Sequence, residues 1–267
     1  MGSERSTATK AESTSPTWEH PRAELREELQ RRPAAWVASL RGASRDPLLV
    51  ARIPAVYRKL TAAGVPHVLP LLAVERDGDR LLLVHRHESG ESLAHRLARG
   101  RLPVVRTLTI LRAICRSLAA AHRAGVEHRA LGPSSVLLGA HDELWLIDFA
   151  VADLFDALAE DPEVDAPDVA LHPMTPERAR GEDGSEAEDV YLVGCLAYWM
   201  IAGVPPFAAV DLDELAQRHA TLSPRPLTEL AAEPVPFTLV DVVARALAKQ
   251  PDERFADLDE LDRALAQ

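Results

Sequence analysis

The hydrophobic period of this 267-residue chain changes once, near Glu91, and that change sets the class of fold it can adopt. Before Glu91 the apolar residues gather in runs of strand length: WVASL at 36–40, PLLVARI at 47–53, HVLPLLAV at 67–74 and DRLLLVH at 79–85. Asp77-Gly78 between the last two is a hairpin signal. Residues 54–63, PAVYRKLTAA, read as a short helix bounded by Pro54 and Gly64. After Glu91 the period is helical. Leu108, Leu111, Cys115 and Leu118 recur at spacings of three and four, and Gly125 ends that helix. A second helix starts near Ala187, with Val190, Val193, Leu196, Ala197 and Met200 on one face and Gly203 as its stop; others are expected at about 212–219, 238–248 and 256–266. Between the first two lie VLL at 136–138 and LWLID at 144–148, short strands joined by a turn at Ala140 to Asp142. Strands first and helices later predict an α+β fold, a small β-rich lobe followed by a larger α-helical one.

Composition narrows the function classes. Apolar residues make up 47% and charged residues 27%, ordinary values for a globular protein of this size. No window approaches the ~18 uninterrupted apolar residues of a membrane span, and no basic start leads into an apolar signal run. Cys115 and Cys195 both sit in apolar helical patterns, the pattern of buried reduced thiols in a cytoplasmic protein. Residues 1–17 are rich in Ser and Thr with little to bury. A disordered leader over 1–20 and one folded region over 21–267 are therefore expected. The net charge of −11 argues against nucleic acid as a partner. Its distribution is uneven. Residues 148–189 hold fourteen Asp and Glu against Arg178 and Arg180, whereas residues 21–60 hold nine Lys and Arg against four Asp and Glu.

The densest signal is AAAHRAGVEHRALGPSSVLLGAHDELWLIDFAVA at 119–152. It resembles the catalytic loop H-R-D-x-x-x-x-N and the D-F-G strand end of the protein kinase superfamily, in particular bacterial Ser/Thr kinases. Other markers follow in family order: Thr175-Pro176-Glu177 for A-P-E, Asp189-Val190-Tyr191 and Gly194-Cys195 opening a central helix, Gly203-Val204-Pro205-Pro206-Phe207 closing it, and Pro251-Asp252-Glu253-Arg254 as a late arginine motif. The resemblance covers roughly residues 21–267. It implies the two-lobed kinase fold, with an N-lobe over about 21–86 and a C-lobe over about 87–267.

The chemistry does not follow from the fold. Phosphoryl transfer depends on positioning and charge neutralisation by particular groups. Where the family has its catalytic Asp, this chain has Ala130; the Lys facing the transferred phosphate is Gly132, and the Asn that holds a second magnesium is Ser135. A methyl group accepts no proton, and losing a general base costs on the order of 10²–10⁴ in rate. Asp148 keeps the remaining magnesium carboxylate and is the one weak candidate for a metal ligand; Ala150 replaces the usual Gly of that motif. An ungapped alignment of the glycine-rich phosphate loop places Gln30, Arg32 and Ala35 at its three glycines and Val37 at its terminal Val, with Pro33 inside. Side chains there, and a missing N–H at Pro33, remove the phosphate cradle. The strand that should carry the phosphate-binding Lys then reads LLVARI and offers Ala51 or Arg52, with no Glu in the helix at 54–63 to pair with it.

The resemblance also assigns structural roles. Glu177 and Arg254 would form an ion pair, Asp189 would bind the backbone of the His128–Arg129 turn, and His128 and Phe149 would stack in the apolar column between the lobes. In the family Arg129 grips a phosphorylated residue of the segment 148–177, yet Thr175 is the segment's only hydroxyl residue. In place of phosphoacceptors stand Asp153, Asp156, Glu160, Asp161, Glu163, Asp165 and Asp168. That run reads either as a solvated acidic loop or as a permanent stand-in for phosphate that docks on Arg129 or on a basic partner. His85 and His87, with Glu88 beside them, have a spacing that could begin a metal site, but their place at the hinge makes them ordinary hinge side chains. The sequence thus predicts a cytoplasmic pseudokinase that binds no ATP and no magnesium and acts as a regulatory or scaffolding module for a protein partner, either a basic surface or another kinase-family protein. The rivals are an atypical transferase that retains nucleotide through Asp148, Ser135 and Arg52, and a non-catalytic ATP sensor.

Overall fold

The computed structural model describes residues 35–41 (backbone only), 47–77, 80–139, 143–154 and 172–267. Strand β1 (Ala35–Arg41) is followed by helix α1 (Pro47–Ala62), then by β2 (Leu71–Asp77) and β3 (Arg80–Arg86). The three strands form an antiparallel sheet in the order β1-β3-β2, with Val37 opposite Val84 and Val74 opposite Leu83. The expected strands at 36–40, 67–74 and 79–85 thus pair, though β2 begins only at Leu71. Gly78 of the expected hairpin turn lies outside the described residues.

The strand expected at 47–53 is not a strand. Those residues form the first half of α1, and Pro54 lies inside the helix rather than at its start. The mistake has a physical cause. Proline is favoured in the first helical turn, so Pro54 reads as a beginning. Burial shows the longer period instead: Ile53, Tyr57 and Leu60 are at most 4% exposed, spaced by four and three residues on one face. Packing of that stripe outweighs the ~3 kcal/mol a mid-helix proline costs.

The second region opens with β4 (Gly90–Ser92), which pairs with β5 (Val136–Gly139), itself paired with β6 (Leu144–Leu146). A parallel bridge from Val68 to Leu146 ties this sheet to the first region, with Leu146 N donating to His67 O at 2.7 Å. Helices α2 (Leu93–Ala98) and α3 (Val104–Arg123) follow β4; α4 (Pro176–Ala179), α5 (Glu186–Ala202), α6 (Leu212–Thr221), α7 (Leu227–Leu230), α8 (Phe237–Ala246) and α9 (Leu258–Ala264) complete the helical region. The sequence missed the short β4, α2, α4 and α7, whose three to six residues carry too little periodicity to detect.

Helix α5 is the axis of the large lobe. It is buried around most of its circumference, from Val190 and Tyr191 to Met200 and Ile201, and packs against α3, α8 and α9. At Gly194 a Cβ would fall 2.9 Å from the Ala246 Cβ on α8, so only glycine lets these two helices approach so closely. Cys115 is buried and Cys195 partly so; both are free thiols. Among the described residues no helix is long and apolar enough to cross a membrane.

Candidate functional site

The turn at 128–135 and the turn at 148–150 lie side by side in the second region, with Ile147 N donating to Ser135 O at 3.0 Å, and Tyr57 of the first region reaches them at Phe149. Both are held by backbone geometry that few residues adopt. Arg129, Asp148 and Ala150 have φ of 57°, 65° and 64°. For Ala150 this left-handed conformation costs roughly 1–2 kcal/mol, which a glycine would not pay.

Asp189, at the start of α5, fixes the first turn. Its fully buried carboxylate accepts the backbone N–H of His128 at 2.8 Å and of Arg129 at 2.7 Å, and the ring of His122 at 2.7 Å. Burial alone would raise its pKa, but the His122 hydrogen bond, the nearby imidazoles and the donated N–H groups hold it below the usual carboxylate range. His122 correspondingly sits above its ordinary value despite its own burial. His128, kept neutral by burial, donates from Nε2 to Ile147 O at 2.9 Å, and its ring centroid lies 4.3 Å from that of Phe149. Tyr57 of α1 continues the stack. Its ring centroid is 6.1 Å from Phe149 and 5.4 Å from His85, and its hydroxyl accepts the Phe149 N–H at 3.4 Å. Sequence reasoning placed His128 and Phe149 in this column but missed Tyr57, because cutting α1 at Pro54 hid the face that Tyr57 shares with Ile53.

The positions where the family keeps its chemistry hold little here. Ala130 is 4% exposed and presents only a methyl group. The Ser135 hydroxyl bonds within its own turn, accepting from Gly132 N and donating to Gly132 O, both at 2.9 Å. Asp148 is buried, and its Oδ1 has no hydrogen-bond partner among the described residues. That burial pushes its carboxyl up to about 7. His85 is buried with its pKa lowered to about 4 by desolvation, and His87 is exposed. Among the described residues no group of three or more His, Cys, Asp or Glu is arranged to hold a metal ion.

The small-lobe assignments need correction. The strand that precedes α1 is β1, AWVASLR, so Ala35 and Val37 belong to that strand and not to a phosphate loop; Gln30 and Arg32 lie outside the described residues. In kinases the phosphate-binding lysine stands on a strand and pairs with a Glu of the αC helix. Here β1 contains no lysine, and α1 contains no Asp or Glu. Ala51 and Arg52 stand on α1 and not on a strand. Arg52 pairs with Asp153 at 2.8 Å.

Arg129 gathers the remaining charges. Its Nε donates to Glu188 at 2.9 Å and its Nη1 to Asp153 at 3.0 Å, while Glu188 also accepts the buried Thr175 hydroxyl at 2.8 Å. Glu188 was not singled out from the sequence; only its adjacency to Asp189 could have suggested it. Glu177 and Arg254 form a bidentate pair at 2.6 and 2.9 Å, each at most 3% exposed. Asp156, Glu160, Asp161, Glu163, Asp165 and Asp168 lie outside the described residues.

Residues 55–263 match the protein kinase domain family. The chain belongs to that family. It is similar to serine/threonine-protein kinase PknE of Mycobacterium tuberculosis, at 30% identity over 224 residues that cover 83% of this chain and 39% of PknE. It is likewise similar to PknD of the same organism, at 31% identity over 201 residues, 73% of this chain and 30% of PknD. The kinase domain described here therefore spans well under half of those relatives. The crystal structure of the M. tuberculosis PknI kinase domain superposes with a TM-score of 0.65 over 87% of this chain and 84% of that one, at 24% identity, a likeness of fold.

Proposed function

We propose that this kinase domain is catalytically inactive and works in the cytoplasm as a regulatory or scaffolding module that binds a protein partner. The observation that carries the reading is Ala130: a buried methyl group stands at the position of the catalytic base, where loss of proton transfer costs on the order of 10²–10⁴ in rate. Three further observations support it. The Ser135 hydroxyl is engaged with Gly132 through both a donated and an accepted bond, β1 brings no lysine, and burial raises the Asp148 carboxyl to about 7. A magnesium–nucleotide needs charged oxygens and ammonium or N–H donors, and these side chains do not fit it. One observation favours the ATP-sensor reading instead, the Oδ1 of Asp148, which has no hydrogen-bond partner among the described residues.

A melting titration with ATP, with and without Mg²⁺ or Mn²⁺, tests the proposal. Ligand at 100-fold its Kd would add ~2.7 kcal/mol of stability. No rise at millimolar nucleotide is expected. A reproducible metal-dependent rise overturns the loss of binding and selects the sensor reading. Phosphate transfer to a generic acceptor protein would overturn the inactive reading altogether.

A further inference from the structure

Lys249, just beyond α8, is one of 3 lysines in a chain that carries 27 arginines. Its surroundings are unusual for an ammonium group. Nζ donates to the backbone carbonyl of His219 at 2.7 Å and to the Tyr191 hydroxyl at 3.4 Å. It lies over the rings of Phe207 and Tyr191, 4.5 and 5.6 Å from their centroids. Arg254 stands over the same Tyr191 ring at 4.8 Å, and the Glu177 carboxylate is bound to Arg254. Among the described residues no carboxylate pairs with Nζ.

The other groups facing Nζ supply no counter-charge either. Cys195 on α5 is pushed up to about 12 by burial and stays a neutral thiol. The Tyr191 hydroxyl bonds Nδ1 of His219 at 2.9 Å, and burial holds that imidazole down at about 3, neutral at physiological pH. An amine desolvated by rings beside a second cation is the setting that makes a lysine nucleophilic. Burial and the Arg254 guanidinium bring the Lys249 amine down to about 8. The residue is partly exposed, and Cys195, Phe207 and His219 also line an open cleft with Trp199, Pro206 and Leu215. A small electrophile in that cleft therefore meets the walls that enclose the amine.

We propose that Lys249 is a modification site that accepts a small acyl group from an acyl phosphate. The ammonium first releases one proton to solvent. The Nζ lone pair then attacks the carbonyl carbon, the C–N bond forms, the C–O bond to phosphate breaks, and the second proton leaves with hydrogen phosphate. The donor brings its own leaving group, so no further catalytic side chain is required. The product suits the site: an amide is neutral, needs no counter-charge and keeps one N–H for the His219 carbonyl. Acylation removes the cation that ties α6, through His219, to the chain beyond α8. The site stands whether or not the domain transfers phosphate.

The three lysines make the test direct. The folded domain is incubated with acetyl phosphate, and initial rates of acetylation at Lys10, Lys59 and Lys249 are read by peptide mass spectrometry; the measurement is repeated in urea. At about pH 7.5 Lys249 should react on the order of tenfold faster than Lys59 in the folded domain, and the advantage should vanish on unfolding. The Lys249 rate should level off above about pH 8 in the fold and keep rising towards about pH 10 in the unfolded chain. A Lys249 rate no greater than that of Lys59 in the folded domain, or an advantage that survives unfolding, overturns the proposal.

Discussion

A carboxyl group whose buried oxygen finds no hydrogen-bond partner among the described residues must choose between charge and burial, and Asp148 shows the outcome. Desolvation lifts it to about 7 from an unfolded value of ~3.9. The folded chain therefore holds a proton that the unfolded chain has released between these two values. The sign follows: this stability is full below about pH 4 and is lost as pH rises through about 7, an effect on the order of 4 kcal/mol. Asp148→Asn keeps the shape and never ionises. We expect the variant to out-melt the parent by a margin that opens between pH 4 and pH 7 and is constant above. A margin that stays flat across that range would show that the carboxyl is charged in the fold. The replacements at Ala130, Gly132 and Ser135 were legible residue by residue in HRALGPSSVLL, because each is a change of atom type. The protonation of Asp148 was not, since it depends on how completely the two turns close over it.

Between elements, the Glu177–Arg254 pair joins α4 to the chain between α8 and α9. Arg254 also donates to the carbonyls of Ala248 and Ala187, so its guanidinium is enclosed by backbone as well as by carboxylate. Glu177→Ala would leave that cation buried without its counter-charge, at a cost of ~3–5 kcal/mol in denaturant melts. Glu177→Gln should cost less, since the amide oxygen still accepts one hydrogen bond. Equal stability of Glu177→Ala and the parent would remove the pair from the account of the fold. The long helices were legible because ten or more residues repeat their apolar stripe, as Leu111, Cys115 and Leu118 do on α3 and Val193, Leu196 and Met200 on α5. Helix α1 was half legible. Its stripe crosses a proline, and sequence rules weigh the proline more heavily than the tertiary contacts of Ile53, Tyr57 and Leu60. The contact between Arg52 and Asp153, 101 residues apart, was legible only as two opposite charges. Their meeting requires α1 to begin at Pro47, the feature the sequence hid.

Across the whole molecule, the charge is divided, basic over residues 21–60 and acidic over 148–189. Asp153 spends its charge inside the molecule on Arg52 and Arg129, which separates it from the six carboxylates at 156–168 that follow it. If that remaining run is the contact surface for a basic partner, it acts through exposed charges. Such charges are screened within ~8 Å at physiological ionic strength and mostly set the rate of encounter. Changing Asp156, Glu160, Asp161, Glu163, Asp165 and Asp168 to Asn and Gln, with Asp153 left intact, isolates the run from the contacts of Asp153 with Arg52 and Arg129. The expected result is loss of a salt-sensitive partner in pull-downs at an unchanged melting temperature. An unchanged partner set and unchanged melting in the six-fold variant would make the run a solvated loop. Any partner of the domain would then have to recognise the folded lobes themselves.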